Sequence, residues 1–192
     1  MDSKNPSGAK GRAEVYDWIQ CIIFALVFCV LLFVFAVRMV NVVGHSMVPT
    51  LEQSDKVVIS NLFYHPKQGD IVVLRKQTLM EEPIVKRIIA TEGQTVDIDF
   101  ENGIVYVDGQ ALEEDYIHNL TTNEEGTVFP LTVEENCIFV LGDNRAVSLD
   151  SRSTQIGQID RREILGKALY LMIPGTHHGQ LPQDYSRMGA VQ

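Results

Sequence analysis

The chain has 192 residues, 45% of them hydrophobic and 21% charged, with a formal net charge of −9. That length accommodates one globular domain plus a short appended element, and an acidic balance without a long Lys/Arg block argues against nucleic-acid binding, because phosphate affinity is built from clustered cations. Cys21 and Cys29 lie too far apart on one apolar run to bridge, and Cys137 has no partner near it, so neither a disulfide framework nor a zinc cluster is expected, and no metal or other cofactor is assigned.

Residues 1–17 form a polar leader carrying Lys4, Lys10 and Arg12. From Trp18 to Val37 the sequence reads WIQCIIFALVFCVLLFVFAV, twenty residues with Gln20 as the one clearly polar member. A helix of that length crosses the ~30 Å hydrocarbon layer. A cleavable signal peptide has an apolar core of only ~7–15 residues ending in small residues, and FAVRMV offers a poor cleavage site, so residues 18–38 are read as an uncleaved transmembrane anchor. Cations ahead of the span, against a lone Arg38 behind it before Lys56, predict a cytoplasmic N-terminus and an extracytoplasmic C-terminal part on a cell membrane.

Beyond the anchor the periodicity switches to short β-type runs: KVVIS, DIVVLR, IVKRIIA, TVDIDF, IVYVDG and CIFVLGD. Asn102-Gly103 is a hairpin signal of the kind that needs positive φ at both central residues, and Asp108-Gly109 marks a further turn. The expected fold is mainly β: one N-terminal transmembrane helix followed by a single antiparallel β-rich domain over residues 39–175. GQALEEDYIHNLTTNEEG reads as a polar excursion rather than a second domain. Residues 176–192 lack an apolar face and read as a mobile polar tail, with His177 and His178 solvated.

Three segments can carry chemistry. In GHSMVPTL, Gly44 leaves room for close backbone approach and Pro49 fixes the chain behind Ser46. A rigid hydroxyl there needs a base, and no Ser/His/Asp set is apparent around His45, His65 or His118. In PIVKRIIATEG, strand alternation puts Lys86 on one face with Ile84 and Ile88, and Val85, Arg87 and Ile89 on the other. Desolvation penalises the charged ammonium, whose reference pKa is ~10.4, and can lower it by ~3 units, enough for a general base. Arg87 is structural, because guanidinium does not deprotonate. In LGDNRAVSLDSR, Gly142, Asp143 and Asn144 form a turn. Ser148 offers a second hydroxyl for orienting the amine, and Asp150 with Arg152 offers an ion pair. Each segment alone is ordinary: a turn serine, a snorkelling lysine, a loop.

Together, SMVPTL, GDIVVL, VKRIIATEG and GDNRAVSLDSR, in that order and spacing behind an anchor, resemble the bacterial type I signal peptidases, membrane-anchored Ser/Lys serine proteases. The resemblance covers the anchor and most of residues 40–173. It implies an endopeptidase that removes signal peptides from exported preproteins after small residues in an A-x-A-like pattern. It further implies Ser46 as nucleophile, Lys86 as general base, Ser148 bonded to the lysine amine, Asp143–Arg87 and Asp150–Arg152 as supporting pairs, and Val42, Met47 and Val85 as shapers of shallow substrate pockets. Implied partners are preprotein signal peptides, membrane lipid and the protein-export machinery. Glu92, Gln94 and Ala146 depart from the family's commoner residues, and Gly44 stands where some relatives carry an oxyanion-binding hydroxyl. Two competing readings are a catalytically silent tethered peptide-binding module and a self-cleaving Ser/Lys repressor relative; the anchor and the lack of a DNA-binding segment count against the latter.

Overall fold

The computed structural model describes the backbone of residues 7–75, 82–175 and 184–191. The chain divides into two compact units, Met1–Arg38 and Met39–Gln192. The first is one helix, α1 (Ser7–Ala36), 30 residues long and so roughly 45 Å at ~1.5 Å per residue. Trp18, Ile22, Phe24, Leu26 and Phe28 are all exposed along it, and the window Glu14–Leu31 is long and apolar enough to cross a membrane. A helix apolar on every side has no stripe for a soluble core, which is the pattern of a lipid-facing segment. It begins well ahead of Trp18, where Ala9, Lys10, Arg12, Ala13 and Glu14 are residues that favour helix.

The second unit is antiparallel β. Its strands are β1 (Arg38–Asn41), β2 (Lys56–Ser60), β3 (Ile71–Leu74), β4 (Ile84–Thr91), β5 (Thr95–Asp99), β6 (Ile104–Val107), β7 (Gln110–Ala111), β8 (Leu131–Thr132), β9 (Cys137–Leu141), β10 (Ile159–Asp160), β11 (Ile164–Ile173) and β12 (Gly189–Ala190). One sheet runs β1-β2-β11-β3-β4-β9-β10 with β12 added on β11, and a smaller one runs β7-β6-β5-β8. The mainly β fold with one N-terminal apolar helix is as the sequence predicts.

All six predicted runs form strands, but β11, the longest strand, is not among them. Its pairing shifts register between Ile164 and Gly166, Ala168 and Tyr170, and Leu171 and Ile173; such bulges erase the alternation that a period-2 reading depends on. The hairpin at Asn102-Gly103 also differs from expectation. Only Gly103 has positive φ, and the Asp99 carboxylate organises a longer loop by accepting the N–H groups of Glu101 and Asn102. The turn with two positive φ values is Asp108-Gly109 instead. Residues 184–191 are a second correction: rather than a free tail, they return to the sheet through β12 and an Arg187–Asp55 ion pair, contacts that need no apolar periodicity. His177 and His178 lie outside the described residues.

Three apolar clusters fill the unit. One gathers Val42, Met47, Leu51, Val57, Ile59, Val73, Val85 and Leu171; another joins β4 and β9 to the small sheet through Ile89, Val96, Val105 and Phe139; the third holds Val72, Leu74, Ile88, Val140 and Ile164. Phe139 is fully buried and meets Phe129 edge-on, with ring centroids 5.8 Å apart. Phe139→Ala should therefore cost about 3–5 kcal/mol of stability, measured as a lowered denaturant midpoint with the two sheets uncoupled first.

Candidate active site

Ser46 lies in the loop joining β1 to β2. The base of this loop is a short ladder, with Val42 N–H donating to the Asp55 carbonyl at 2.8 Å and Ser54 N–H donating to the Val42 carbonyl at 2.9 Å. Gly44 has φ +89°, its N–H donates to Gln53 Oε1 at 2.8 Å, and a Cβ there would meet open space. Glycine is thus required for the left-handed backbone and not, as the sequence suggested, for close approach. A single turn follows, with Leu51 N–H donating to the Met47 carbonyl. Met47 and Leu51 are both buried, so the turn beside the serine is pinned to the core.

Lys86 sits in β4 opposite Val72 of β3. Directly paired residues share a face in an antiparallel ladder, so the lysine stem runs with Val72, Ile84 and Ile88, three members of one apolar cluster. It is 3% exposed, and its Nζ donates to Ser46 Oγ at 2.7 Å. Burial pushes the amine down to about 8, against an upward pull from Asp150 and Asp143 and a further downward push from Arg152. The same 2.7 Å lets an uncharged amine accept the hydroxyl proton.

The loop after β9 holds this pair from behind. Asn144 N–H donates to the Ser46 carbonyl at 2.9 Å and its side-chain amide to the His45 carbonyl at 3.2 Å. Asp143 takes both Nε and Nη2 of Arg87 at 2.8 Å, and Thr50 Oγ1 donates to the same carboxylate at 2.5 Å. The Tyr116 ring covers the Arg87 guanidinium at 3.9 Å, and burial beside Glu114 raises the tyrosine's pKa. Asp150 accepts Arg152 Nε at 2.9 Å, Arg152 Nη2 at 3.0 Å and the Gly142 N–H at 3.0 Å. Both ion pairs implied by the resemblance are present and fully buried.

Ser148 departs from expectation. Its Oγ is buried without a hydrogen-bond partner, so no bond to the lysine amine is made in this structure; Lys86 Nζ bonds Ser46 instead. Both Ser148 Oγ and the Ser46 carbonyl crowd the point where a Cβ on Gly142 would lie, so only glycine lets these two segments close. Val42, Met47 and Val85 all lie in one core cluster, at 4%, 1% and 7% exposure. His45 and His65 are exposed. Among the described residues no cluster of His, Cys, Asp and Glu could hold a metal ion, and Cys21, Cys29 and Cys137 are free thiols.

Several supporting residues were not foreseen. Arg145, 1% exposed, donates to the Gly142 carbonyl, Thr121 and both oxygens of Glu114. The polar stretch of residues 109–126 is therefore the partner of the late loop, tied down further by His118 N–H to the Asp143 carbonyl. Glu125 lies 3.5 Å from Arg152, and burial raises its pKa. The available signal was charge: Arg145 is a cation inside a turn-forming string, and Glu113-Glu114 and Glu124-Glu125 lie within the excursion.

A family model described as signal peptidase, peptidase S26, matches residues 15–173. This chain belongs to that family. It is 36% identical to a probable signal peptidase I-1 of Synechocystis sp. over 178 residues, covering 85% of each chain. It is 31% identical to signal peptidase I P of Bacillus subtilis subsp. natto over 173 residues, covering 85% of this chain and 91% of the relative. With signal peptidase I of Leptolyngbya laminosa it shares 31% over 191 residues, covering 93% and 91%. A signal peptidase I structure from Enterococcus faecalis is 28% identical and covers 54% of this chain and 97% of that one, at a TM-score of 0.45. The family model and the curated relatives covered to this extent support a signal peptidase I.

The folded state holds the Lys86 proton less tightly than the unfolded chain, whose lysine keeps its ordinary value. Below about pH 8 folding bears the cost of burying an ammonium. Above that value the folded amine is neutral while the unfolded one still binds a proton, so stability rises with pH until the unfolded lysine also titrates. Lys86→Met should accordingly raise the melting temperature most at about pH 6–7, with the gain shrinking toward about pH 10, measured by calorimetry across that range.

Proposed function

We propose that this protein cleaves signal peptides through a Ser46–Lys86 dyad. The observation that carries this reading is the 2.7 Å contact between Ser46 Oγ and an amine that burial holds near pKa 8. Ser46 Oγ attacks the scissile carbonyl as its proton passes to Lys86 Nζ. The resulting oxyanion is met by backbone N–H groups including that of Ser46, because Gly44 brings no hydroxyl. The lysine proton then goes to the leaving amine, freeing the new N-terminus of the mature protein. Lys86, neutral again, takes a proton from water, which attacks the acyl ester; the lysine then returns that proton to the departing Ser46 Oγ, releasing the signal peptide and restoring both residues. Ser148, with its unpartnered buried hydroxyl, is the group in this reading that steadies the amine once Ser46 is acylated.

The substrate is read as an extended strand whose backbone gives affinity and whose alternate side chains give selectivity. Val42, Met47 and Val85 are already packed into the core, so they form a floor without depth, and only small side chains fit against it. In this reading α1 anchors the enzyme, with residues 1–17 cytoplasmic and residues 39–175 on the outer side. Few residues separate the span from Ser46, so substrate and nucleophile are held at the same lipid boundary, where tethering raises effective concentration. Membrane lipid and the protein-export machinery are the other partners that this placement implies.

Purified full-length protein should convert a preprotein into a product whose mass gives a new N-terminus just after an A-x-A-like site. Ser46→Ala and Lys86→Ala should each lower kcat by more than about a thousandfold with folding retained. For the wild type, kcat/KM should climb with pH and level off above about 8. Residual turnover near the wild-type rate in either variant would reject the dyad, and a tethered binding module would show peptide binding with no turnover at all.

A further inference from the structure

The loop that carries Ser46 closes on Asp55, a carboxylate with no solvent exposure. Such a charge is expensive unless both oxygens are satisfied. Here Oδ1 accepts the Gly175 N–H at 2.6 Å and Arg187 Nη1 at 3.1 Å, while Oδ2 accepts the Glu52 N–H at 2.8 Å and Arg187 Nη2 at 2.8 Å. Arg187 also lies 3.4 Å from the Glu52 carboxylate. The one charged side chain among these four contacts thus comes from the far end of the chain, beyond the region that the family model matches, residues 15–173.

The segment bearing Arg187 is itself built to stay in place. Tyr185–Arg187 is a short 3-10 turn capped by Asp184, which accepts both N–H and Oγ of Ser186. β12 then pairs Gly189 with Leu171 and Ala190 with Tyr170, and Val191 packs against the cluster that holds Val42, Met47 and Leu51. A cavity of about 210 Å³ between the segment and the nucleophile loop is lined by Thr50, Leu51, Leu171, Arg187, Ala190 and Val191. Thr50 is the residue whose hydroxyl meets Asp143. The contacts of the segment on this side therefore fall on residues that fix the backbone on either side of Ser46.

We infer that Tyr185–Val191 is a positioning strap for the nucleophile loop, with Arg187 holding Asp55 and thereby keeping Ser46 at hydrogen-bond distance from Lys86. The strap depends on the Ser/Lys reading for its catalytic consequence, though not for its geometry. A hydroxyl that drifts by ~1 Å from its base loses on the order of a hundredfold in rate, so a modest loosening of Asp55 is enough to be read in turnover.

The test compares full-length wild type, Arg187→Ala, Arg187→Lys and the double variant Arg187→Ala/Asp55→Asn in preprotein cleavage, melting temperature and hydrogen exchange. Arg187→Ala should lower kcat by at least about tenfold with KM within about twofold, and exchange at the amides of residues 44–54 should quicken while those of β4 and β9 stay protected. Lysine, a single point charge without the guanidinium fork, should restore part of the rate. The double variant removes the unpaired buried charge, so its melting temperature should recover while its kcat does not. Recovery of kcat together with stability would overturn the strap and leave Arg187 a stabiliser only; so would unchanged exchange in residues 44–54. Should wild type itself fail to cleave preprotein, the dyad reading falls, and the exchange data alone decide whether the strap holds the loop.

Discussion

Burying one amine so that it gives up its proton more readily than a free lysine is the constraint to which the rest of the domain is fitted. Lys86 reaches Ser46 from a strand flanked by Ile84, Ile88 and Val72, and desolvation there favours the neutral form. Three carboxylates pull it back toward the ammonium: Asp150, Asp143 and, least of the three, Glu125. Each is already claimed by a guanidinium, Asp150 and Glu125 by Arg152 and Asp143 by Arg87. An arginine does not give up its charge, and Arg152 itself pushes the amine down, so the carboxylates' pull is partly offset and desolvation prevails.

Pairs of this kind are weak evidence for stability, because desolvating two ions costs about as much as their attraction returns. Their value here is geometric. Asp143 ties Arg87 of β4 to Thr50 of the Ser46 loop, Asp150 holds the Gly142 N–H, and Asn144 holds the carbonyls of Ser46 and His45. The loop after β9 therefore fixes serine and lysine from one side with directional bonds that tolerate little drift. Arg145 locks that loop in turn to Glu114 and Thr121, so the polar stretch between β7 and β8 serves as its outer wall.

The features legible in the sequence were those that local rules dictate. Alternation identified β2 through β6 and β9, and it placed Lys86 with two isoleucines, because a strand's side-chain direction is fixed by its own backbone. The pairing of Asp150 with a cation two residues away likewise came from short-range pattern, whereas burial of that lysine followed only from the resemblance, the segment alone reading as a snorkelling lysine. β11 escaped because three register shifts break its period. Arg145 with Glu114, Tyr116 over Arg87 and Arg187 with Asp55 escaped for another reason: each joins positions far apart in sequence, and charge alone does not say which partner folding will supply. Gly44 was singled out correctly and explained wrongly, since spare volume and left-handed φ leave the same residue in a sequence.

β4 explains why a site of this kind sits in the middle of a sheet rather than on a free loop. Val85 packs into the first apolar cluster, Ile89 into the second and Ile88 into the third, so one strand takes part in all three parts of the core. A register slip would carry Lys86 to the opposite face and strip Val85, Ile88 and Ile89 from three clusters at once. The position of the amine is thus enforced by the sum of the packing rather than by its own contacts. The serine, on a loop, has no such guarantee, and it is on that side that directional bonds accumulate: Asn144 on its carbonyl, Thr50 on Asp143, and Arg187 on the carboxylate that closes its loop. Hydrophobic packing fixes the lysine and polar bonds fix the serine, a division set by where each element lies in the fold.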